Sequence, residues 1–252
     1  MDNANGSSGR AELDVRLDEA FKEQSRIVKY TSNPIVLGAL GLSRYTGGIA
    51  SLLSENARKR QEFRLRKFLV DFANYTDARW DSLKEHVDEN FIASDEFATL
   101  VVDGLEEAGR TSDEVKLKFV MDYILNSSRI IRPDISWRDV FRTYLSQLSG
   151  THLISLHYAF SVQEGISERE RMGIVRSDRV PVKVDSFISG NYGVDENLAR
   201  LCFADLANVG LLMDWRALGN PGGPVQAEYS VTQSGMLFMY FMDGKWRMKS
   251  SV

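Results

Sequence analysis

The 252-residue chain is 43 % hydrophobic and 26 % charged, with a formal net charge of −4 and a single cysteine. This is the composition of a soluble globular protein of one large or two small domains, able to remove about 70–75 % of its unfolded surface from water. It excludes collagenous, disulfide-scaffolded and wholly disordered classes, as well as zinc sites built on two or more thiolates, and it carries no whole-chain signature of nucleic-acid binding.

The opening MDNANGSSGRAELD is small, polar and acidic. It lacks the basic and apolar regions of a signal peptide, and residues 1–10 read as disordered. The lone Cys202 suits a reducing, cytoplasmic setting. Leu13, Leu17, Ala20, Phe21 and Ile27 recur at helical spacing and predict an amphipathic helix over 11–29, broken at Asn33-Pro34. Residues 34–53 hold one charge, Arg44, among Gly38, Leu40, Gly41, Gly47 and Gly48. The length just reaches across a bilayer, but Arg44 at its centre costs about 2.5–3.5 kcal/mol there. The segment reads as a close-packing interface or core element, with an interfacial membrane anchor as the alternative.

Leu65, Leu69, Phe72, Thr76, Trp80, Leu83 and Val87 lie three or four residues apart. They predict one unbroken helix over 55–89, about 50 Å long. Its first turns are basic, with Arg58, Lys59, Arg60, Arg64, Arg66 and Lys67. Arg60, Arg64 and Lys67 share a face. This run is a candidate for an anionic partner (nucleic acid, a phospholipid surface or an acidic protein patch), set against the plain alternative of a solvated face. The glycine-containing apolar stretch 38–53 followed by R-K-R-Q-E-F-R-x-R resembles bacterial abortive-infection proteins of the Abi-alpha type. That resemblance implies a bacterial, phage-defence context and carries over no residue role.

Ser94 predicts the cap of a helix ending at Gly109. Thr111 with Glu114, and Ser136 with Asp139, have capping-box spacing. They open a helix ended by Arg132-Pro133 and another over 137–162. Residues 163–189 are charged and read as a linker. Asp195 opens a helix carrying Leu198, Leu201, Cys202, Leu206 and Val209, with Gly210 just past its end. Strands over 211–217 and 225–232 flank the turn cluster LGNPGGP, and Thr232 caps a last helix over 233–242. The run Leu206, Gly210, Leu211, Leu212, then Tyr229, Val231, Thr232, Gly235 and Phe238 resembles winged-helix regulators of the MarR and PadR kind. It implies a winged-helix-like module over 190–252, which includes the 137–162 helix where that helix supplies its first member.

A duplex reader presents Arg, Lys, Asn or Gln. The candidates here are Asn197, Arg200 and Arg216, set among Asp195, Glu196 and Asp205, whose charge phosphate repels. His152 and His157 diverge by about 140° on a helix and cannot share a metal as an i, i+4 pair does. His152 reads as a core histidine and Cys202, in LCFADL, as a buried thiol. No phosphate-loop, dinucleotide, zincin or nucleophile-elbow motif occurs. The expectation is a mainly α fold. A multi-helix domain over 11–162 has a long central helix, the charged linker spans 163–189, and a small winged-helix-like α+β module follows. No catalytic residue, metal or cofactor is expected. The expected function is that of a non-enzymatic interaction protein working by protein contact and self-association. The alternatives are a nucleic-acid-binding winged-helix regulator and a membrane-acting effector using 34–53 and the basic run.

Overall fold

The computed structural model describes residues 33–37, 55–171, 182–190, 193–214 and 228–246, with isolated helical positions at Val15, Glu19 and Lys22. The expected disordered tail over 1–10 lies outside these residues, as does most of the helix over 11–29. The fold is mainly α-helical with a small three-stranded antiparallel sheet toward the C-terminus. The chain forms two compact units, Met1–Asp134 with Arg247–Val252, and Ile135–Trp246.

The first unit contains α1 (Glu55–Asp77), α2 (Trp80–Leu83), a 3-10 turn at Lys84–His86, α3 (Glu89–Ile92), α4 (Asp95–Arg110) and α5 (Glu114–Ser127). The unbroken helix expected over 55–89 is not formed. Asn74, Tyr75, Thr76 and Asp77 are weak helix formers. Thr76 Oγ1 donates back to Phe72 O at 2.8 Å, and Arg79 N closes onto Thr76 O at 3.0 Å, which tightens and ends the helix. Val87, expected on the same stripe, pairs with Arg129 in an isolated antiparallel bridge. At 23 residues, α1 is about 35 Å long rather than 50.

Its inward stripe of Phe68, Leu69, Phe72 and Ala73 is buried together with Phe97, Val101 and Leu105 of α4 and Val120 and Ile124 of α5. Each such Phe or Leu contributes about 1.5–3 kcal/mol on burial. Ser94 caps α4 by accepting from Phe97 N, as its position predicts. Gly109 lies within α4 rather than at its end. For α5 the cap is Asp113, which accepts from Val115 N and Lys116 N; Thr111 stands two residues back and accepts from Asp113 N.

Glu107 of α4 and Lys116 of α5 form a 2.6 Å ion pair with side chains 14 % and 10 % exposed. Charges this shielded are tolerated because they meet each other. Glu107→Gln is expected to lower stability by about 3 kcal/mol, since it removes the carboxylate charge that faces a buried ammonium. Glu107→Leu combined with Lys116→Met is expected to cost far less. Urea unfolding followed by circular dichroism checks this; a double replacement as damaging as the single one refutes it.

The second unit contains α6 (Ile135–Gln147), α7 (Gly150–Arg171), β1 (Val182–Lys183), α8 (Val184–Ser189), α9 (Glu196–Asn208), β2 (Leu212–Asp214), β3 (Glu228–Val231) and α10 (Gln233–Met242). The single helix expected over 137–162 is two helices with a break at Leu148-Ser149. Ser136 and Asp139 lie inside α6 and open nothing. The expected linker over 163–189 is largely structured: α7 continues to Arg171, and Val182–Lys183 and Val184–Ser189 form β1 and α8. Polar side chains read as linker are recruited by distant backbone and charge. Gln163 Oε1 accepts from Val231 N at 2.9 Å, and Glu164 pairs with Lys245 at 3.1 Å.

The sheet order is β1-β3-β2, with Val182 opposite Tyr229 and Leu212 opposite Val231. Among the described residues β2 starts at Leu212 and β3 ends at Val231, each one residue inside the expected 211–217 and 225–232, and the expected 215–217 and 225–227 lie outside the described part. α9 ends as its sequence predicts. Gly210 takes φ +79°, Gly210 N bonds Ala207 O and Leu211 N bonds Leu206 O, the paired C-terminal bonds that a left-handed glycine permits. Thr232 caps α10 by accepting from Gly235 N.

Candidate functional site

Two faces of α9 define the site. Asp195 starts the helix by accepting from Asn197 N and Leu198 N. Ala199, Cys202, Phe203 and Leu206 recur at three and four and are fully buried. Phe203 packs its ring 5.6 Å from Phe187 and 5.4 Å from Tyr229, which seats α9 on α8 and the sheet. Cys202 lies in this interior. Burial, with Asp205 as a smaller cause, pushes its thiol up to about 11, so it stays protonated and unreactive at neutral pH.

The opposite face is set by the same spacing. Asn197, Leu201 and Asn208 are exposed and half-buried Ala204 lies between them, with Leu198 and Asp205 along one flank and Glu196 and Arg200 along the other. Leu198 and Leu201 are 43 % and 55 % exposed, large apolar side chains one helical turn apart. The only cation of α9 is committed. Arg200 Nη2 donates to Asp185 Oδ1 of α8 at 2.7 Å and to Glu196 Oε1 at 2.9 Å, and Nε donates to Glu196 at 3.2 Å. Bonding to Glu196 first, and to Asp185, raises the guanidinium pKa above its ordinary value.

Of the three residues expected as nucleic-acid contacts, Asn197 therefore faces solvent, Arg200 is engaged by two carboxylates, and Arg216 lies outside the described residues. No local pattern marks the Asp185 contact, because its partner is fifteen residues away in another element.

The basic run occupies α1. Arg60 is exposed and Arg64 half-buried. Lys67 pairs with Asp71 at 2.6 Å and Arg66 with Glu62 at 2.7 Å. Lys59 is half-buried, and the side chain of Arg58 lies outside the described part. The run is thus partly neutralised along its own helix by i, i+4 acids, as solvated helix faces are. From the 34–53 segment the structure describes only the first turn. Asn33 Oδ1 accepts from Ile35 N at 3.1 Å, its amide donates to Asp77 at 3.3 Å, and Ile35 and Val36 are buried. Gly38, Leu40, Gly41, Arg44, Gly47 and Gly48 lie outside it. Among the described residues no helix is long and apolar enough to cross a membrane.

The structure also assembles a trio that no spacing announces. His152 Nδ1 lies 2.7 Å from Ser149 Oγ, and His152 Nε2 lies 3.4 Å from Asp205 Oδ2. Serine, histidine and aspartate are the residue types of nucleophilic catalysis. Here the serine caps α7: its Oγ faces His152 N at 3.4 Å while Ser149 N donates to His152 Nδ1 at 3.3 Å. This reciprocal pair is a capping box with histidine in the third position. Asp205 then ties the first turn of α7 to α9. His152, read as a core histidine, is in fact half-buried at this junction. Among the described residues no cluster of three or more His, Cys, Asp or Glu is placed to hold a metal ion.

No family model, no curated protein and no solved structure matches this chain.

Proposed function

We propose that the chain is a non-enzymatic interaction protein, an adaptor, regulator or effector subunit, and that Ile135–Trp246 is a winged-helix-like module that docks protein through the outward face of α9. The order α7, β1, α8, α9, β2, β3, with the first strand pairing to the third, supports the winged-helix reading. In such modules the helix before the hairpin is the presented one.

One observation carries the choice of partner class. The presented face of α9 offers two exposed leucines, and its single arginine is neutralised by Glu196 and Asp185. A duplex reader neutralises phosphates with several free cations. Exposed apolar side chains aligned on one helix instead mark a protein-docking surface. A cytoplasmic setting agrees with the lone, buried Cys202.

A photo-crosslinking residue at position 201 tests the reading, with the exposed α7 position Ser161 as control. The expected result is a nuclease-resistant protein adduct of discrete mass at 201 and none at 161. A nuclease-sensitive adduct, or a mobility shift of duplex DNA at low salt that Leu201→Ser leaves intact, refutes it.

A further inference from the structure

We infer that the partner of the α9 face is a basic amphipathic helix. The inference rests on the protein-docking reading above and specifies its chemistry. The outward stripe of α9 is about 20 Å long, the length of a 13-residue helix. Leu198 and Leu201 form a ridge at i, i+3, the row that seats in the groove of a second helix.

Among the described residues the charge around this ridge is mainly negative. Asp195 and Glu196 stand at its start and Asp205 on its flank, with Asp185 contributed by α8. Among the described residues these four carboxylates face one guanidinium, Arg200, already bound by two of them, and the His152 ring beside Asp205. A partner that covers the leucines must lie along this acidic rim. Lysines or arginines flanking its apolar stripe meet carboxylates that stay partly solvated, which raises the encounter rate and selects the register. An acidic partner meets like charge, and a neutral one leaves the rim unanswered. The same charge repels duplex phosphate and anionic lipid, so a basic peptide remains as the occupant.

The test uses the full chain and two capped peptides of about 18 residues. Both have leucines at i, i+3, i+4 and i+7; one carries lysine at the remaining positions and the other glutamate. Fluorescence anisotropy reads binding. The lysine peptide is expected to bind at micromolar concentration, and the glutamate peptide is expected not to. Leu198→Ser with Leu201→Ser is expected to weaken binding about tenfold, a loss of about 1.4 kcal/mol. Both leucines are exposed, and circular dichroism verifies that the variant folds. Raising salt from about 0.1 M to about 1 M shortens the screening length from about 10 Å to about 3 Å and is expected to weaken binding as well.

Equal binding of the two peptides, or undiminished binding to the double serine variant, overturns the inference. So does failure of the lysine peptide to bind. If the crosslink at 201 persists in that case, the face docks a protein of other chemistry; if it is also absent, the docking reading falls too. If the chain alone is a dimer that the serine pair converts to monomer, a second copy is the occupant and the basic-helix inference fails.

Discussion

Gly235→Ala is expected to destabilise the Ile135–Trp246 unit by about 3 kcal/mol. In an open helix the same replacement stabilises by about 0.5–1 kcal/mol, because alanine loses less backbone entropy than glycine. The sign reverses at position 235 because an added Cβ there lies 2.3 Å from Leu211 O and 2.8 Å from Val231 Cγ1. The first of these is backbone and has little freedom to yield. Leu211 N is bonded to Leu206 O, and Leu211 O accepts from Thr232 N at 3.0 Å. Moving it disturbs the end of α9, the start of β2 and the cap of α10 together. Gly165→Ala provides the internal control. Gly165 is exposed in α7, a Cβ built there meets nothing within 4 Å, and the replacement is expected to stabilise. Urea midpoints of the two variants are expected to move in opposite directions. A Gly235→Ala midpoint at or above that of the parent chain shows that α10 does not sit on Leu211 as described.

Phe141→Ala is the second large effect, expected to cost about 3–5 kcal/mol. Phe141 is fully buried at the centre of an aromatic cluster. Its ring centroid lies 5.3 Å from Phe241, 5.5 Å from Phe238, 5.6 Å from Trp137 and 6.0 Å from Trp246. Truncation removes contacts to α10 and to the residues after it at once, and the surrounding rings are too stiff to collapse into the space. Against a total stability of about 5–15 kcal/mol, that is enough to populate a loosened state. Phe141→Leu keeps most of the volume and is expected to cost less. The emission of Trp137 and Trp246 is expected to shift toward that of solvent-exposed indole in Phe141→Ala at urea concentrations where the parent is unchanged. A loss below about 1 kcal/mol, with unaltered fluorescence, means the cluster is not the anchor of α6.

Much of the architecture is legible in the sequence because it is local. The inward stripe of α1 follows from residues three and four apart, and that spacing is helix geometry itself. The caps at Ser94, Asp195 and Thr232 are bonds from a side chain to amides two or three residues away. Gly210 marks the end of α9 because the left-handed turn there needs a residue without a Cβ. The mainly helical class, the small sheet near the C-terminus and the two faces of α9 all follow from such short-range rules.

The rest was decided over longer distances. Trp80 and Val87 continue the stripe of α1 on paper, yet the chain leaves the helix at Asp77, where backbone closure and the Val87–Arg129 bridge compete with propagation. β1 is two residues long and has no alternation to reveal it; only pairing with β3 makes it a strand. Arg200 shows only its Glu196 neighbour until Asp185 is folded against it, and His152 reads as a core residue until Asp205, fifty-three residues away, reaches its ring. The sequence by itself determined the mainly helical class, the starts of α4, α9 and α10, the end of α9, and which side of α9 turns inward. The tertiary structure alone decided that Arg200 is also held by Asp185 of α8 and that Asp205 meets the His152 ring of α7, because whether a charge is available depends on what another element places beside it, and no local spacing encodes a contact fifteen or fifty-three residues away.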